Sequence, residues 1–339
     1  MLAKKPLYFF TVMDFLLSLT AHAQLDCLSN EPTQEGARVT QSFIKPIVSK
    51  DQYLCAVGNL YNLTCSEVLN AHKPYEQEFL KNRGTPISSD APYLIEPRTH
   101  RIWFTLPEDF REVPRDRLKF YNSSLQFYKD KPYEHHFWCN NASLIPQTIA
   151  TIKSFNVPVT IHEISEIEEN FIAQKLFQHF LRDNHLSKAG NIARQEILLQ
   201  YGGLYSDIGL EQMIDLDDYF QKYSWIQVIG PDSLTNSYTL GAPKNYPFLK
   251  NTLQFVRDIP KTVASLDVLP DTWSCAWLTT SYGWKIFWGL KQVATDSVGF
   301  VYHNADFKYH GFASWHNGKW GASEWSAYVD ANYYQNMGE

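Results

Sequence analysis

Hydrophobic positions between residues 99 and 182 alternate between strand and helix spacing. Residues 99–105 and 134–140 carry the β-branched and aromatic side chains typical of strands, and residues 159–164 form a third such run. A helical stretch at 143–155 separates the last two strands, and an apolar stripe at helical spacing follows at 166–182. Strand, helix, strand is the unit of a parallel sheet, so the pattern predicts an α/β protein.

The segment 191–211 combines a helix, a turn and a strand. Apolar residues recur at helical spacing over 192–200. Gly202 and Gly203 then end the helix, because glycine accepts the left-handed backbone that a helix C-terminus usually needs. Residues 204–211 are predicted to form one continuous strand.

Acidic side chains are predicted to share one face of that strand. Alternation puts Tyr205, Asp207 and Glu211 on the same side, next to the helix that carries Arg194. Carboxylates bind divalent cations, and arginine binds phosphate oxygens. The segment is therefore predicted to bind a metal ion and a diphosphate.

Composition and charge narrow the class of protein. The chain has 339 residues, of which 44% are hydrophobic and 15% aromatic, enough for one large α/β domain with a small appendage. The formal net charge is −6 and there is no long basic run, which argues against nucleic acid as the main partner. Any nucleotide that binds is expected to be a small ligand.

Residues 1–23 have the order of features typical of an export signal. Two lysines precede an apolar run at 6–19, and the small-residue sequence Ala-His-Ala follows at 21–23. This pattern predicts a secreted, periplasmic or secretory-pathway protein. The run is short for a membrane span, and Asp14 interrupts it. An uncleaved anchor, which would associate the protein with a membrane, is the alternative.

Residues 24–96 contain turns and short apolar runs but no catalytic pattern, and they are predicted to form an N-terminal extension. In an exported chain, Cys55 and Cys65 are close enough in sequence to close a short disulfide loop. Their spacing matches no zinc pattern. The α/β domain itself is predicted to span residues 97–339.

Residues 189–207 resemble the sugar-binding segment of the DXD-motif glycosyltransferase superfamily. That superfamily includes yeast-type initiating mannosyltransferases and the catalytic domains of the large clostridial glucosylating toxins, and its segment reads roughly A-S-D-x-x-R-x-x-x-L-x-x-x-G-G-x-Y-x-D-x-D. The matching residues are Ala189, Arg194, Leu198, Gly202, Gly203, Tyr205 and Asp207. Asn191 replaces the first aspartate, and Gly209 replaces the second aspartate of the DXD pair.

Two further blocks resemble the same superfamily. Residues 100–103 are similar to its opening strand, I-H-x-I-W-x-G, where an aromatic such as Trp103 suits stacking on a nucleotide base. A core position for Trp103 fits the sequence equally well. His310, Ser314 and Trp315 match its closing H-x-x-x-S-W, which lies beside the donor diphosphate in that superfamily and furnishes a metal ligand or phosphate contacts.

The resemblance implies a GT-A fold, a nucleotide-sugar-binding α/β domain with a mixed, mostly parallel sheet flanked by helices. It implies transfer of a hexose from a donor such as UDP-glucose or GDP-mannose to a carbohydrate or protein acceptor, with retention of configuration. Asp207 and Arg194 are the predicted catalytic residues. The predicted donor contacts are Trp103, Asn191, Arg194, Tyr205, Asp207, Ser314 and Trp315.

Gly209 leaves the metal chemistry open. If an ion is retained, Asp207, Glu211 and His310 are its predicted ligands, and the ion is Mn²⁺ or Mg²⁺. Without an ion, Arg194 and a lysine at position 319 would stabilise the charge on the leaving diphosphate.

Two readings from other classes remain. The altered DXD pair is compatible with a non-catalytic nucleotide- or carbohydrate-binding protein on the same fold. A hydrolase that uses Asp215 and Asp217 as paired acids is disfavoured, because these residues have the pattern of a solvated helix start and no second positioned acid accompanies them.

Overall fold

The structure is a computed structural model, and the chain divides into two compact units, residues 1–77 with 287–291 and residues 78–286 with 292–339. All elements given below lie in the second unit. The described residues are 91–229, 235–258, 297–302 and 305–309, with isolated positions between 66 and 88. The predicted export signal and the predicted disulfide lie outside them, as do His310, Ser314, Trp315 and Lys319.

Seven strands form one mixed sheet in the described part of the chain. They are β1 (Arg98–Trp103), β2 (Glu134–Cys139), β3 (Thr160–Glu163), β4 (Gly203–Ser206), β6 (Trp225–Ile229), β7 (Thr235–Ala242) and β8 (Val298–Tyr302). Their order is β3-β2-β1-β4-β7-β6-β8, and all neighbours are parallel except β7, which is antiparallel to β4 and β6. The predicted α/β class with a mostly parallel sheet is confirmed. Two short strands, β5 (Leu210–Gln212) and β9 (Phe307–Tyr309), pair in a separate sheet.

Helices cover both faces of the large sheet. They are α1 (Arg115–Leu125), α2 (Pro146–Lys153), α3 (Gln174–Arg182), α4 (Leu186–Tyr201), α5 (Asp217–Lys222) and α6 (Pro247–Asp258). Tyr205 contacts Arg194 of α4, whereas its strand neighbours Leu204 and Ser206 border a cavity with residues of α1. Successive strand residues point to opposite faces, so α4 and α1 lie on opposite sides of the sheet. Within the described ranges, none of the helices has the length and apolar character needed to cross a bilayer.

The connection between α4 and β4 requires glycine. Gly202 and Gly203 have φ angles of 68° and 98°, in the left-handed region. A Cβ on Gly203 would lie 2.6 Å from the carbonyl oxygen of Arg98, and one on Gly202 would lie 2.7 Å from the backbone nitrogen of Lys244. The predicted helix stop is confirmed, and the pair also lets the chain pass close to β1.

The prediction of one strand over 204–211 is wrong. β4 ends at Ser206, and the amide of Leu210 donates to the carbonyl of Asp207 at 3.0 Å, which closes a turn through Ile208 and Gly209. β5 then leaves the large sheet and pairs with β9. Glu211 therefore does not share a strand face with Tyr205 and Asp207.

The strand order reverses between β1 and β4. From β1 the chain builds outward through β2 and β3, and it then returns to place β4 on the other side of β1. In open α/β sheets, ligands bind outside the carboxyl ends of the strands at such a reversal. Asp207 is the first residue after β4 and so stands at this position.

Candidate active site

Asp207 presents one fixed and one open carboxylate oxygen. Its backbone amide donates to the carbonyl of Tyr238 at 2.8 Å, which fixes the main chain. Its Oδ1 accepts the hydroxyl of Tyr205 at 2.6 Å, whereas Oδ2 has no hydrogen bond to the described residues. The side chain is 25% exposed. The open oxygen can therefore accept a hydrogen bond from a ligand hydroxyl or face a cation.

Arg194 is a buried partner of this carboxylate. Its side chain is 9% exposed, and Nη2 lies 3.5 Å from Oδ1 of Asp207. Nη1 donates to the carbonyl of Ser237 at 2.6 Å, and Nε lies 3.4 Å from the carbonyl of Gly190. The pairing is not a surface ion pair. Arg194 orients Asp207 in this geometry, and a direct contact between Arg194 and a diphosphate stays a prediction.

Tyr205 completes the group. Its ring lies under the guanidinium of Arg194, 4.6 Å from ring centre to Cζ. Burial raises the pKa of the Tyr205 phenol well above its usual value. The phenol therefore stays neutral and donates its hydrogen bond to the charged Asp207. The three residues Arg194, Tyr205 and Asp207 come together in space.

Asn191 and Trp103 lie in different settings. Asn191 is half-buried on α4, three residues before Arg194 and so on the same side of the helix. Trp103 is 2% exposed, and its Nε1 donates to the carbonyl of Arg111 at 2.7 Å. It packs in a hydrophobic cluster with Phe137. This packing accounts for Trp103 as a core residue, and stacking on a base stays an untested prediction.

The described residues do not form a cation site by themselves. No group of three or more His, Cys, Asp or Glu side chains comes together in the described part of the chain. Glu211 lies on β5, where its Oε1 accepts the hydroxyl of Ser123 at 3.5 Å. Of the three predicted metal ligands, the structure describes Asp207 and Glu211, whereas His310 lies outside the described residues.

The alternative acid pair at the start of α5 is engaged in local contacts. Asp217 accepts the hydroxyls of Tyr93 and Tyr133 at 2.8 and 2.7 Å. Lys131 forms ion pairs with both Asp215 and Asp217. These contacts explain the two aspartates as structural groups and give the hydrolase reading no support.

Sequence reasoning missed the part that β7 plays in the site. The carbonyl oxygens of Ser237 and Tyr238 hold Arg194 and the backbone of Asp207, respectively. A backbone acceptor carries no side-chain signature. Only the pairing of β7 with β4 reveals these two contacts.

Comparisons with known proteins find similarity to glycosyltransferases. No family model matches the chain. Inositol phosphoceramide mannosyltransferase 3 of Schizosaccharomyces pombe is 26% identical over 238 residues, which cover 59% of this chain. The chain spans 64% of the length of that relative. This match confirms the resemblance to glycosyltransferases that the central segment carries.

Two solved structures are similar at lower identity. The PaToxG glycosyltransferase has a TM-score of 0.41 and 14% identity, covering 67% of this chain and 90% of its own. The UDP-bound glycosyltransferase domain from the YGT toxin has a TM-score of 0.37 and 12% identity, covering 59% of this chain and 69% of its own.

Proposed function

We propose that the protein transfers a hexose from a nucleotide-sugar donor to a carbohydrate or protein acceptor, with retention of configuration and with a divalent cation. The observation that carries the proposal is the position of Asp207. Its carboxylate stands at the reversal point of the sheet, with one oxygen held by Tyr205 and the other open. The mannosyltransferase relative supports the same class of reaction.

The residues of this chain suit two requirements of the reaction. The open oxygen of Asp207 can accept a hydrogen bond from a hydroxyl of the donor sugar or ribose and so orient the donor. The bond from the anomeric carbon to the diphosphate oxygen breaks, and the diphosphate leaves with the electron pair. The oxygen of the acceptor hydroxyl forms the new bond to the anomeric carbon and loses its proton to the leaving diphosphate. Arg194 places a fixed positive charge close to Asp207 and stabilises charge that develops nearby.

A nucleotide-release assay tests the proposal. Purified protein is incubated with UDP-glucose or GDP-mannose in Mn²⁺, in Mg²⁺ or in EDTA, and free nucleoside diphosphate is measured. We expect release with one of the donors, a strong decrease in EDTA and a sugar product of unchanged anomeric configuration by NMR. Release that persists in EDTA would overturn the metal requirement while leaving the transferase assignment in place.

A non-catalytic nucleotide- or carbohydrate-binding protein is the second candidate. Two observations favour it: Gly209 replaces an expected ligand, and no cluster of metal-binding side chains occurs in the described residues. The two candidates differ in turnover. A rise in the melting temperature with nucleotide sugar, without any release of nucleotide from any donor, would support the binding protein and contradict the transferase.

The predicted compartment belongs to this proposal. We propose that the chain is exported through residues 1–23 and acts in the secretory pathway or outside the cell, anchored to a membrane if that segment is retained. Mass spectrometry of the mature N-terminus tests it. A protein that retains Met1 and is recovered in the soluble cytoplasmic fraction would contradict export.

A further inference from the structure

Arg101 of β1 is buried without a charged partner in the described part of the chain. The residue is 5% exposed, and its Nε makes no hydrogen bond within the described residues. Its guanidinium lies 5.4 Å from the ring centre of Tyr121 on α1. An arginine stays protonated in proteins, so this position holds a buried positive charge.

A small, partly open cavity adjoins this charge. It has room for roughly one water-sized ligand. Arg101 lines it together with the hydroxyl-bearing residues Thr99, Tyr121, Ser124 and Tyr128, and no acidic residue borders it. The walls therefore supply donors and hydroxyls but no negative charge.

The two tyrosines of the cavity differ in their hydrogen bonds. Tyr128 and Gln212 exchange hydrogen bonds of 3.1 and 2.7 Å, which satisfies the Tyr128 hydroxyl. The Tyr121 hydroxyl is buried and has no partner among the described residues. Burial raises the pKa of the Tyr121 phenol, so that it remains a neutral donor. Arg101 and Tyr121 thus bring two unused donors to one small space.

Asp207 forms no ion pair with Arg101. Its carboxylate lies within ion-pair distance of Arg194 instead, with Nη2 of Arg194 3.5 Å from Oδ1. Its Oδ1 already accepts the hydroxyl of Tyr205 and faces Arg194. A buried charge without a partner costs several kcal/mol, and a neutral water does not compensate it.

We propose that this cavity binds chloride, held by Nε of Arg101 and the hydroxyl of Tyr121. Both groups donate hydrogen bonds, and the ion supplies the negative charge that the cavity walls lack. An anion that binds the folded chain and not the unfolded chain stabilises the fold by mass action.

The test is thermal unfolding at constant ionic strength, with gluconate replaced stepwise by chloride. We expect the melting temperature to rise with chloride in a saturable way, by about 2–4 °C or more at 200 mM. Tyr121→Phe removes one donor, so the chloride concentration for half of the effect should increase about 5- to 10-fold. Arg101→Met should abolish the chloride effect.

The control is Arg111→Met, because Arg111 is a half-exposed arginine paired with Asp109 and should leave the chloride response unchanged. If Arg101→Met does not fold, two other measurements test chloride binding. They are the chloride response of Tyr121→Phe and the anomalous signal of bromide in a soaked crystal. Equal melting temperatures in chloride and gluconate, a persistent response in Arg101→Met, or a water in place of bromide in the cavity would each overturn the proposal.

Discussion

In the described part of the chain, one buried arginine lies on each side of the large sheet, and the two have different surroundings. Arg194, on α4, lies close to carbonyl oxygens and to the carboxylate of Asp207. Arg101, on β1, faces a cavity of hydroxyl groups and has no acid to pair with in the described residues. The difference shows that burial of a charge does not by itself indicate its role. Its partners decide whether it orients a neighbour or needs an ion from solution.

The largest effect is expected at Asp207, the acid that Arg194 contacts and Arg101 does not. Asp207→Asn keeps the size of the side chain but removes its charge, and we expect donor turnover to fall about 10³-fold or more if Asp207 orients the donor. The melting temperature should change by only a few degrees. Free nucleotide is the measurement, and the exposed acid Asp218, changed to Asn, is the matched control. Full activity in Asp207→Asn would remove Asp207 from the site.

A matched pair of substitutions compares the two arginines directly. Arg194→Met removes the positive charge beside Oδ1 of Asp207 and the hydrogen bond to the carbonyl of Ser237. The free energy of unfolding should therefore fall by about 3 kcal/mol. Arg101→Met removes an unpaired charge, so in chloride-free buffer stability should stay within about 1 kcal/mol or increase. Urea denaturation measures both. Equal losses would show that the two environments do not differ in energy.

Glu196 is a third buried ionisable residue, and unlike the two arginines it loses its charge by protonation when the pH is lowered. Burial raises the pKa of Glu196 to about 7, and its Oε1 accepts the amide of Ala173 at 2.8 Å. An unfolded glutamate ionises near 4.5, so the folded state holds the proton more tightly and stability is lost as pH rises from 4.5 to about 7. Glu196→Gln should remove this loss and stabilise the protein at pH 8 by about 1–3 kcal/mol.

Urea denaturation at pH 4.5, 6 and 8 checks the Glu196 prediction. The exposed Glu169, changed to Gln, is the control and should follow the wild-type pH dependence. A variant at Glu196 that is less stable than the wild type at pH 8 would contradict a raised pKa.

The smallest effect is expected at Tyr205. Tyr205→Phe keeps the ring under Arg194 and removes only the hydrogen bond to Asp207. We expect a loss of about 1 kcal/mol in stability and a decrease in donor turnover of less than about tenfold, because Arg194 still orients the carboxylate. A loss of turnover as large as that in Asp207→Asn would assign the phenol itself a direct part in the reaction.

Local sequence patterns predicted much of the fold but not the end of β4. The three strands between residues 98 and 163, helix α2 and the glycine stop after α4 depend on near neighbours, and the structure has them. The helix predicted over 166–182 begins only at Gln174, after two short 3-10 turns. The break after Ser206 depends on a turn and on the pairing of β5 with β9, about a hundred residues further along the chain. A pairing between residues this far apart does not affect the local alternation, so the alternation alone puts Glu211 on the wrong face.

The site residues show the same limit. Arg194, Tyr205 and Asp207 lie close together because a short helix-turn-strand connection joins them, and a local pattern is sufficient to predict that. Trp103 fits a strand end in sequence, yet its burial results from the packing of distant segments. Arg101 gave no signal at all, since its cavity is built by β1, β4 and α1 together.

Main-chain oxygens of Gly190, Ser237 and Tyr238 hold the arginine and the backbone of the acid in place. Every amino acid carries such an oxygen, so a substitution at any of these three positions would keep the backbone contact. The support of Arg194 and Asp207 therefore depends on the path of the main chain rather than on the identity of these side chains.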